Sequence, residues 1–244
     1  MSIKATPLGH SRILSVGTYR PKRAVPNSEI VDRIESTDEW IQQRTGIESR
    51  RFAGDDETVI SMAKAACEMA LKRAKLSIED IDTVILSTIS YPFQAPSAAT
   101  ELINELGNPK AAAFDISAAC AGFCYGVAMA SDLVRSGTSR NVLVIGVEKL
   151  SDYTDPDDRA TAFIFADGAG AVIIGQSDQP RIGQTIWGSD ADSRDAITLT
   201  PSFLDYKKNP DKGVGELGWP NISQQGQIVF RWAVYQMSKA GLKA

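Results

Sequence analysis

The sequence has few of the residues that build metal centres or disulfide frameworks. Its 244 residues include three cysteines and a single histidine. Cys67, Cys120 and Cys124 form no Cys-x-x-Cys pair, and His10 alone cannot make a multi-histidine site. We therefore expect neither a metal ion nor a disulfide framework.

Long apolar runs and an excess of positive charge are also missing. No run approaches the ~18 apolar residues that span a bilayer, and segment 1–17 carries polar residues and a proline where a signal peptide would be apolar. The net charge is -4, with no basic stripe. These features favour a cytoplasmic protein of one or two domains, and they argue against nucleic acid or a membrane as partner.

Strand-like runs alternate with helical patterns along the first 150 residues. Runs rich in Val, Ile and Leu predict strands buried on both faces at 82–90, 111–116 and 141–147. Apolar residues at helical spacing predict helices over 58–75, from near Pro96 to Gly107, and from Cys120 to Gly137. Cys67 is expected to pack in a core. This alternation predicts an α/β fold with a mainly parallel sheet.

Residues 161–175 depart from this pattern. Runs rich in β-forming residues at 162–166 and 171–174 flank Asp167-Gly168, which predicts a hairpin. A dinucleotide-binding loop is the alternative, but it needs a third glycine where Ile173 stands, followed by a helix. We therefore favour the hairpin.

Cys120 is the main candidate for chemistry, in the segment Asp115-Ile116-Ser117-Ala118-Ala119-Cys120-Ala121-Gly122-Phe123. It stands where a predicted strand turns into a predicted helix. Backbone N–H groups there favour the thiolate, and small neighbours leave room for a substrate. The alternative is a small buried core cysteine. Cys124, one turn later, is interpreted as structural rather than as a redox partner, because this spacing does not bring two sulfurs to bonding geometry.

Together with the segments below, Ala118 to Phe123 resembles β-ketoacyl-acyl carrier protein synthase III, the family that starts bacterial fatty acid synthesis. The resemblance runs from Gly17 to about Ala240. It implies a thiolase-like layered α/β/α/β/α fold, with a first half at 1–177 and the beginning of a second half at 178–244. A strand at 182–188 and a helix at 227–240, carrying Phe230, Val234 and Met237 on one face, would begin that second half.

The resemblance also implies a reaction and its partners. An acyl group would pass from acyl-coenzyme A to Cys120 and then condense with malonyl-acyl carrier protein, in a homodimer without a cofactor other than the coenzyme A thioester substrate. Phe165 would lie near the active cavity. Ala95 aligns with a position that reaches across the dimer interface and limits acyl length, so its small side chain implies a deeper pocket.

Two segments resemble those that hold coenzyme A in the family. Ser36 to Glu39 has a capping-box pattern, which predicts a short helix with Trp40 and Arg44 one turn apart. In the family this tryptophan lies on the adenine with the arginine beside it. In Asp155-Pro156-Asp157-Asp158-Arg159, the arginine matches one that stacks on the other face of the adenine. Without the resemblance, Trp40 would be interpreted as a packing residue and Arg44 as a solvated charge.

The family's histidine, asparagine and glycine-rich oxyanion segment have no counterpart up to residue 244, and His10 matches no catalytic position. Since such groups stabilise the developing negative charge, we expect condensation by this chain alone to be very slow. It would be a fragment of a longer enzyme or a truncated, non-catalytic thiolase-fold subunit. A cysteine α/β-hydrolase is a further alternative, because Ala118-x-Cys120-x-Gly122 approaches the nucleophile-elbow pattern.

Overall fold

The structure, a computed structural model, describes residues 9–243. The first eight residues of segment 1–17, where we predicted no signal peptide, lie outside the described residues, as does Ala244. Within the described range no helix combines the length and the apolar character needed to cross a bilayer. Contacts divide the chain into two units: residues 9–22, 53–149 and 167–185 form the first, and residues 23–52, 150–166 and 186–243 form the second. The predicted halves 1–177 and 178–244 stay a prediction.

The elements are numbered along the chain. The strands are β1 (His10–Tyr19), β2 (Arg23–Pro26), β3 (Ser49–Phe52), β4 (Thr83–Ser87), β5 (Ala112–Ile116), β6 (Asn141–Lys149), β7 (Asp167–Ser177), β8 (Ile197–Thr200) and β9 (Asn221–Gln224). The helices are α1 (Asp38–Thr45), α2 (Val59–Ala74), α3 (Ala98–Leu106), α4 (Gly122–Arg135), α5 (Phe203–Lys208), α6 (Gly213–Leu217) and α7 (Gly226–Gly241).

The first unit is built on a five-stranded sheet with the order β1-β7-β6-β4-β5. β4 runs parallel to β5 and β6, whereas β7 runs antiparallel to both β6 and β1. The prediction of a mainly parallel sheet is confirmed for β4, β5 and β6 but is wrong for the whole sheet, which β7 makes mixed. The reason is that the chain leaves β6 at Lys149 and re-enters at Asp167, which pairs with Lys149, so β7 returns along β6 without crossing the sheet.

The predicted hairpin at Asp167-Gly168 is also wrong. Residues 167–177 form one continuous strand, and residues 162–166 form turns and irregular backbone. The apolar side chains of Ala162 and Phe163, which suggested a strand, belong instead to the core of the second unit. The expected strand at 182–188 is absent too, because Ile182 packs beside the core under α4 without a strand partner.

Helices cover both faces of the sheet. α2 and α3 pack on one face and α4 on the other, around two buried clusters. Cys67 is fully buried in α2, as predicted. Gly107 and Gly137 follow α3 and α4 with positive φ, and both helices end where the sequence predicts. β5 is an edge strand and only partly buried, contrary to the prediction of burial on both faces.

Two contacts fix helices onto the sheet. Gly17 in β1 lies so close to α2 that a Cβ there would stand 2.0 Å from the carbonyl oxygen of Ala66. On β5, the Asp115 carboxylate accepts from the backbone N–H groups of Ala98 and Ala99, both at 2.8 Å, and so caps the first turn of α3. Sequence alternation places Asp115 opposite its neighbour Ile116, which packs on the α4 side.

The second unit contains two small antiparallel sheets, β2-β3 and β8-β9. Its buried cluster comprises Val25, Ile30, Ile34, Ile41, Ala162 and Phe163. α7 confirms the predicted helix at 227–240. The side chains predicted to share one face of that helix are exposed in the structure, namely Phe230, Val234 and Met237.

Candidate active site

Cys120 lies in a tight turn between β5 and α4. β5 ends at Ile116, a 3-10 turn spans Ala119–Ala121, and α4 begins at Gly122. The predicted placement at a strand-to-helix junction is confirmed. Cys120 is exposed, which excludes the buried-core alternative. Ala119, immediately before it, has φ 43°, a strained conformation for a residue with a Cβ, and such strain is typical of functional turns.

Glycines let α4 approach the sheet directly beneath this turn. A Cβ at Gly122 would stand 1.9 Å from the Ser87 hydroxyl oxygen, and one at Gly126 would stand 2.8 Å from a methyl carbon of Val144. Ser87 is the last residue of β4 and is 6% exposed. The small residue at 122 therefore allows the helix carrying Cys120 to rest on the end of β4.

A carboxylate at the end of β6 organises the segment that leaves β4. Glu148 accepts hydrogen bonds from the backbone N–H groups of Ile89 and Ser90 and from the hydroxyl groups of Thr88 and Ser90. Burial raises the pKa of Glu148 above its usual value, and these hydrogen bonds offset only part of the rise. The sequence analysis missed this residue, and the only local signal is a charged residue directly after the apolar run 142–147. Ala95 lies further along the same segment and is exposed.

His10 lies at the opposite edge of the sheet from Cys120. His10 pairs with Ser177, which lies beside the amino-terminal end of β6. β5 and β6 run in the same direction, and Cys120 follows the carboxyl end of β5. The two residues therefore lie at opposite ends of the strands. A groove of about 650 Å³ at that opposite edge is lined by His10, Arg12 and neighbouring residues.

The second unit brings together Trp40, Arg44 and Arg159. The guanidinium carbon of Arg44 lies 4.7 Å from the centroid of the Trp40 ring, and that of Arg159 lies 5.2 Å from it. Both distances suit cation–π contacts, and both arginines are exposed. Three residues that are separated by up to 119 positions in the sequence thus form one aromatic and cationic cluster.

α1 places the first two members of this cluster, but its cap differs from the prediction. The Thr37 hydroxyl accepts from the Trp40 N–H at 3.2 Å, so Thr37 is the N-cap residue. Ser36 was predicted to cap the helix. Its hydroxyl is buried and has no hydrogen-bond partner within residues 9–243, because the extended Thr37 backbone puts the threonine side chain over the first turn.

Residues outside the predicted set hold the cluster in place. Phe163 is 5% exposed and meets the Trp40 ring edge-on, with 5.4 Å between ring centroids. The Asp158 carboxylate accepts from the Thr161 hydroxyl at 2.6 Å and so fixes the turn after Arg159. The run 162–166 hid Phe163 from the sequence analysis, because its apolar composition resembles that of a strand.

The remaining predicted site residue, Phe165, is partly buried in the second unit, two residues before β7. Cys120 and Ala95 belong to the first unit. The structure does not test the roles assigned to these residues. In the part of the chain that is described, no cluster of three or more His, Cys, Asp or Glu side chains is placed to hold a metal ion.

Comparison with known proteins identifies relatives over nearly the whole chain. The sequence profile of 3-oxoacyl-[acyl-carrier-protein (ACP)] synthase III matches residues 114–191. The chain is 50% identical to β-ketoacyl-[acyl-carrier-protein] synthase III 1 of Streptomyces coelicolor, with 96% of this chain and 70% of that protein aligned. Its identity to the Streptomyces glaucescens synthase III is 49%, over 96% of this chain and 69% of the relative.

Solved structures agree with these sequence matches. The priming β-ketosynthase of the R1128 polyketide pathway has a TM-score of 0.92 and 41% identity, covering 98% of this chain and 70% of that one. The 3-oxoacyl-(acyl carrier protein) synthase III of Pseudomonas aeruginosa has a TM-score of 0.84 and 32% identity, over 96% and 70%. The chain thus has the thiolase-like α/β fold of these enzymes and belongs to the β-ketoacyl-acyl carrier protein synthase III family.

Proposed function

We propose that Cys120 is the acyl acceptor of this synthase III. The exposed Cys120 thiol at the start of α4 is the observation that carries the proposal. Its sulfur, as thiolate, attacks the carbonyl carbon of acyl-coenzyme A, the bond from that carbon to the coenzyme A sulfur breaks, and free coenzyme A takes up a proton. The product is a thioester on Cys120.

The second step joins this acyl group to malonyl-acyl carrier protein and starts a fatty acid. Loss of carbon dioxide from the malonyl thioester leaves a carbanion, which attacks the acyl carbonyl carbon and releases the Cys120 thiolate. Decarboxylation supplies the electron pair, so the chemistry requires no cofactor besides the thioester substrates. A non-catalytic thiolase-fold subunit, the alternative, would carry out neither acyl transfer to Cys120 nor the condensation.

The cluster of Trp40, Arg44 and Arg159 is proposed to bind the nucleotide end of acyl-coenzyme A. A flat aromatic ring suits the adenine, and guanidinium groups both stack on rings and pair with phosphates. The distances of 4.7 and 5.2 Å between the guanidinium carbons and the Trp40 ring support this assignment, since they show the three side chains already assembled.

Ala95 and Phe165 are proposed to line the acyl pocket. The alanine side chain is small and exposed on the segment fixed by Glu148, which leaves space for an acyl chain. We further propose a cytoplasmic homodimer in which Ala95 faces the partner subunit. Free thiols at Cys120 and Cys124 suit a reducing compartment.

Intact-mass analysis after incubation with acyl-coenzyme A tests the nucleophile. One acyl adduct is expected on the protein, absent from Cys120→Ala and retained by Cys124→Ala. Cys124 is the matched control because it is exposed and one helical turn away. An adduct that persists in Cys120→Ala would remove Cys120 from the reaction.

A binding measurement tests the nucleotide site. Trp40→Ala and Arg159→Ala should weaken binding of acyl-coenzyme A, while alkylation of Cys120 by iodoacetamide stays near the wild-type rate. Arg194→Ala is the control, since this arginine is also in the second unit and is 82% exposed. Unchanged binding in both cluster variants would refute the assignment.

A further inference from the structure

The Glu148 carboxylate replaces sheet hydrogen bonds where β4 ends. The pairing of β4 with β6 stops at Ser87, which is opposite Gly146. Residues 88–90 then leave the sheet, although Thr88 and Ser90 are buried, with 8% and 2% of their surface exposed. Their polar groups therefore need acceptors inside the protein.

One side chain supplies these acceptors. Glu148 oxygens lie 3.0 Å from the N–H nitrogen of Ile89, 3.1 Å from that of Ser90, 3.2 Å from the Thr88 hydroxyl and 2.5 Å from the Ser90 hydroxyl. The Ser90 hydroxyl oxygen in turn accepts from the Lys149 N–H at 2.8 Å. One carboxylate therefore accepts from two backbone N–H groups and two hydroxyl groups of residues 88–90, and together with the Lys149 contact it fixes these residues to β6.

Residues on both sides of 88–90 contribute to the proposed reaction. Ser87, directly before it, is the residue on which Gly122 and the first turn of α4 rest. Ala95 follows it by five residues and lies before α3. Movement of residues 88–90 therefore reaches the support under Cys120 and the proposed wall of the acyl pocket.

We propose that Glu148 is a positioning residue for acyl transfer: it fixes the segment from Ser87 to Ala95 and thereby sets both the rate of transfer to Cys120 and the preference for acyl length. This inference rests on the proposed function of Cys120. The segment needs a group that only accepts hydrogen bonds at this position. Glutamine has the same shape but presents an NH2 group to a set of donors, so Glu148→Gln breaks the network without creating a cavity.

Asp82 provides a matched control on the same sheet. Its carboxylate accepts from the backbone N–H groups of Arg140 at 2.7 Å and Asn141 at 3.0 Å. These contacts lie at the amino-terminal edge of β4 and β6, opposite the end that carries Glu148. Asp82→Asn thus disturbs a similar carboxylate-to-backbone contact away from the nucleophile.

The experiment compares acyl transfer with simple alkylation. Wild type, Glu148→Gln and Asp82→Asn are each given acetyl- and dodecanoyl-coenzyme A, and adducts on Cys120 are timed by peptide mass. Iodoacetamide alkylation of Cys120 and thermal unfolding are measured alongside. We expect Glu148→Gln to transfer acyl groups about 10- to 100-fold more slowly, with a changed ratio of the two primers, because a shift of about 1 Å can cost 100-fold in rate. Its alkylation rate and the acyl transfer rate of Asp82→Asn should stay near wild type.

Each contrary result has a distinct meaning. If wild type forms no adduct on Cys120, the proposed function itself fails. Equal transfer rates and primer ratios in wild type and Glu148→Gln overturn the positioning role, and so does a parallel loss of transfer and alkylation. Should Glu148→Gln not fold, Ser90→Ala removes one donor and keeps the carboxylate; it should show the same pattern with a smaller amplitude, and wild-type behaviour in that variant overturns the inference.

Discussion

Replacing Gly122 by alanine should disturb both the fold and the position of Cys120. The added Cβ would stand 1.9 Å from the Ser87 hydroxyl oxygen and 3.0 Å from the Ser87 Cβ. Non-bonded heavy atoms prefer about 3.5 to 4.0 Å, so the hydroxyl must rotate and α4 must move away from β4. Forced overpacking of this kind costs about 1 to 3 kcal/mol.

The same movement should slow acyl transfer. Cys120 lies two residues before Gly122, in the turn that leads into α4, and a displacement of about 1 Å at a reacting group can reduce the rate about 100-fold. Urea unfolding gives the loss of stability, and adduct formation with acetyl-coenzyme A gives the loss of rate. Gly122→Ala should be impaired in both.

A second substitution tests the cause. Ser87→Gly removes the two atoms that would lie too close to the new Cβ, so the stability losses of Ser87→Gly and Gly122→Ala should not add in the double variant. Part of the lost acyl transfer should return as well. Strictly additive losses, or a Gly122→Ala protein as stable and active as wild type, would refute the proposed contact between helix and strand.

Three further substitutions probe the first unit. Gly17→Ala should lose at least about 3 kcal/mol in urea unfolding, because its Cβ would meet backbone atoms of α2 at 2.0 and 2.5 Å that cannot rotate away; a smaller loss would mean that β1 and α2 separate easily. The Tyr19 hydroxyl and backbone N–H groups hold the pKa of Glu57 below its usual range, so its contribution to stability is present above about pH 4.3 and is lost as the pH falls through the folded-state pKa. Glu57→Gln should therefore be less stable than wild type at neutral pH and show a flatter decline in melting temperature between pH 5 and pH 3; an unchanged profile would contradict this. Ala95→Phe should disfavour dodecanoyl- over acetyl-coenzyme A in competition for Cys120, since each methylene excluded from an apolar pocket forfeits about 0.8 kcal/mol; an unchanged ratio would remove Ala95 from the pocket.

Local signals in the sequence predicted the helices well. Apolar spacing defines α2, α3 and α4, and glycines mark the ends of α3 and α4, because helix periodicity and caps depend on neighbouring residues. Strand direction is not a local property. No pattern within residues 167–177 predicts that they run antiparallel to β6. Their direction depends on the chain after Lys149, which brings Asp167 back beside the end of β6.

The site residues also differ in whether local sequence signals predict them. Helical spacing predicts that Trp40 and Arg44 share a face, and the turn around Cys120 follows from a strand and a helix in succession. Arg159 joins the cluster only through tertiary structure and was assigned by resemblance. The Glu148 network uses backbone N–H groups, which every sequence has, so no sequence pattern predicts it. Family membership excludes the cysteine α/β-hydrolase, which motif spacing alone had left open.

The cap that Asp115 provides for α3 also bears on the electric field around the Cys120 sulfur. Asp115 is the acidic residue nearest to Cys120 in the preceding sequence, and a carboxylate beside a thiolate would oppose its negative charge. The alternation of β5 sends this carboxylate to the α3 face, where the positive end of a helix dipole and two N–H groups compensate it. Cys120 and the amino-terminal end of α4 lie after β5. The start of α3 therefore compensates the charge of Asp115, whereas the field at the start of α4 acts on the Cys120 sulfur.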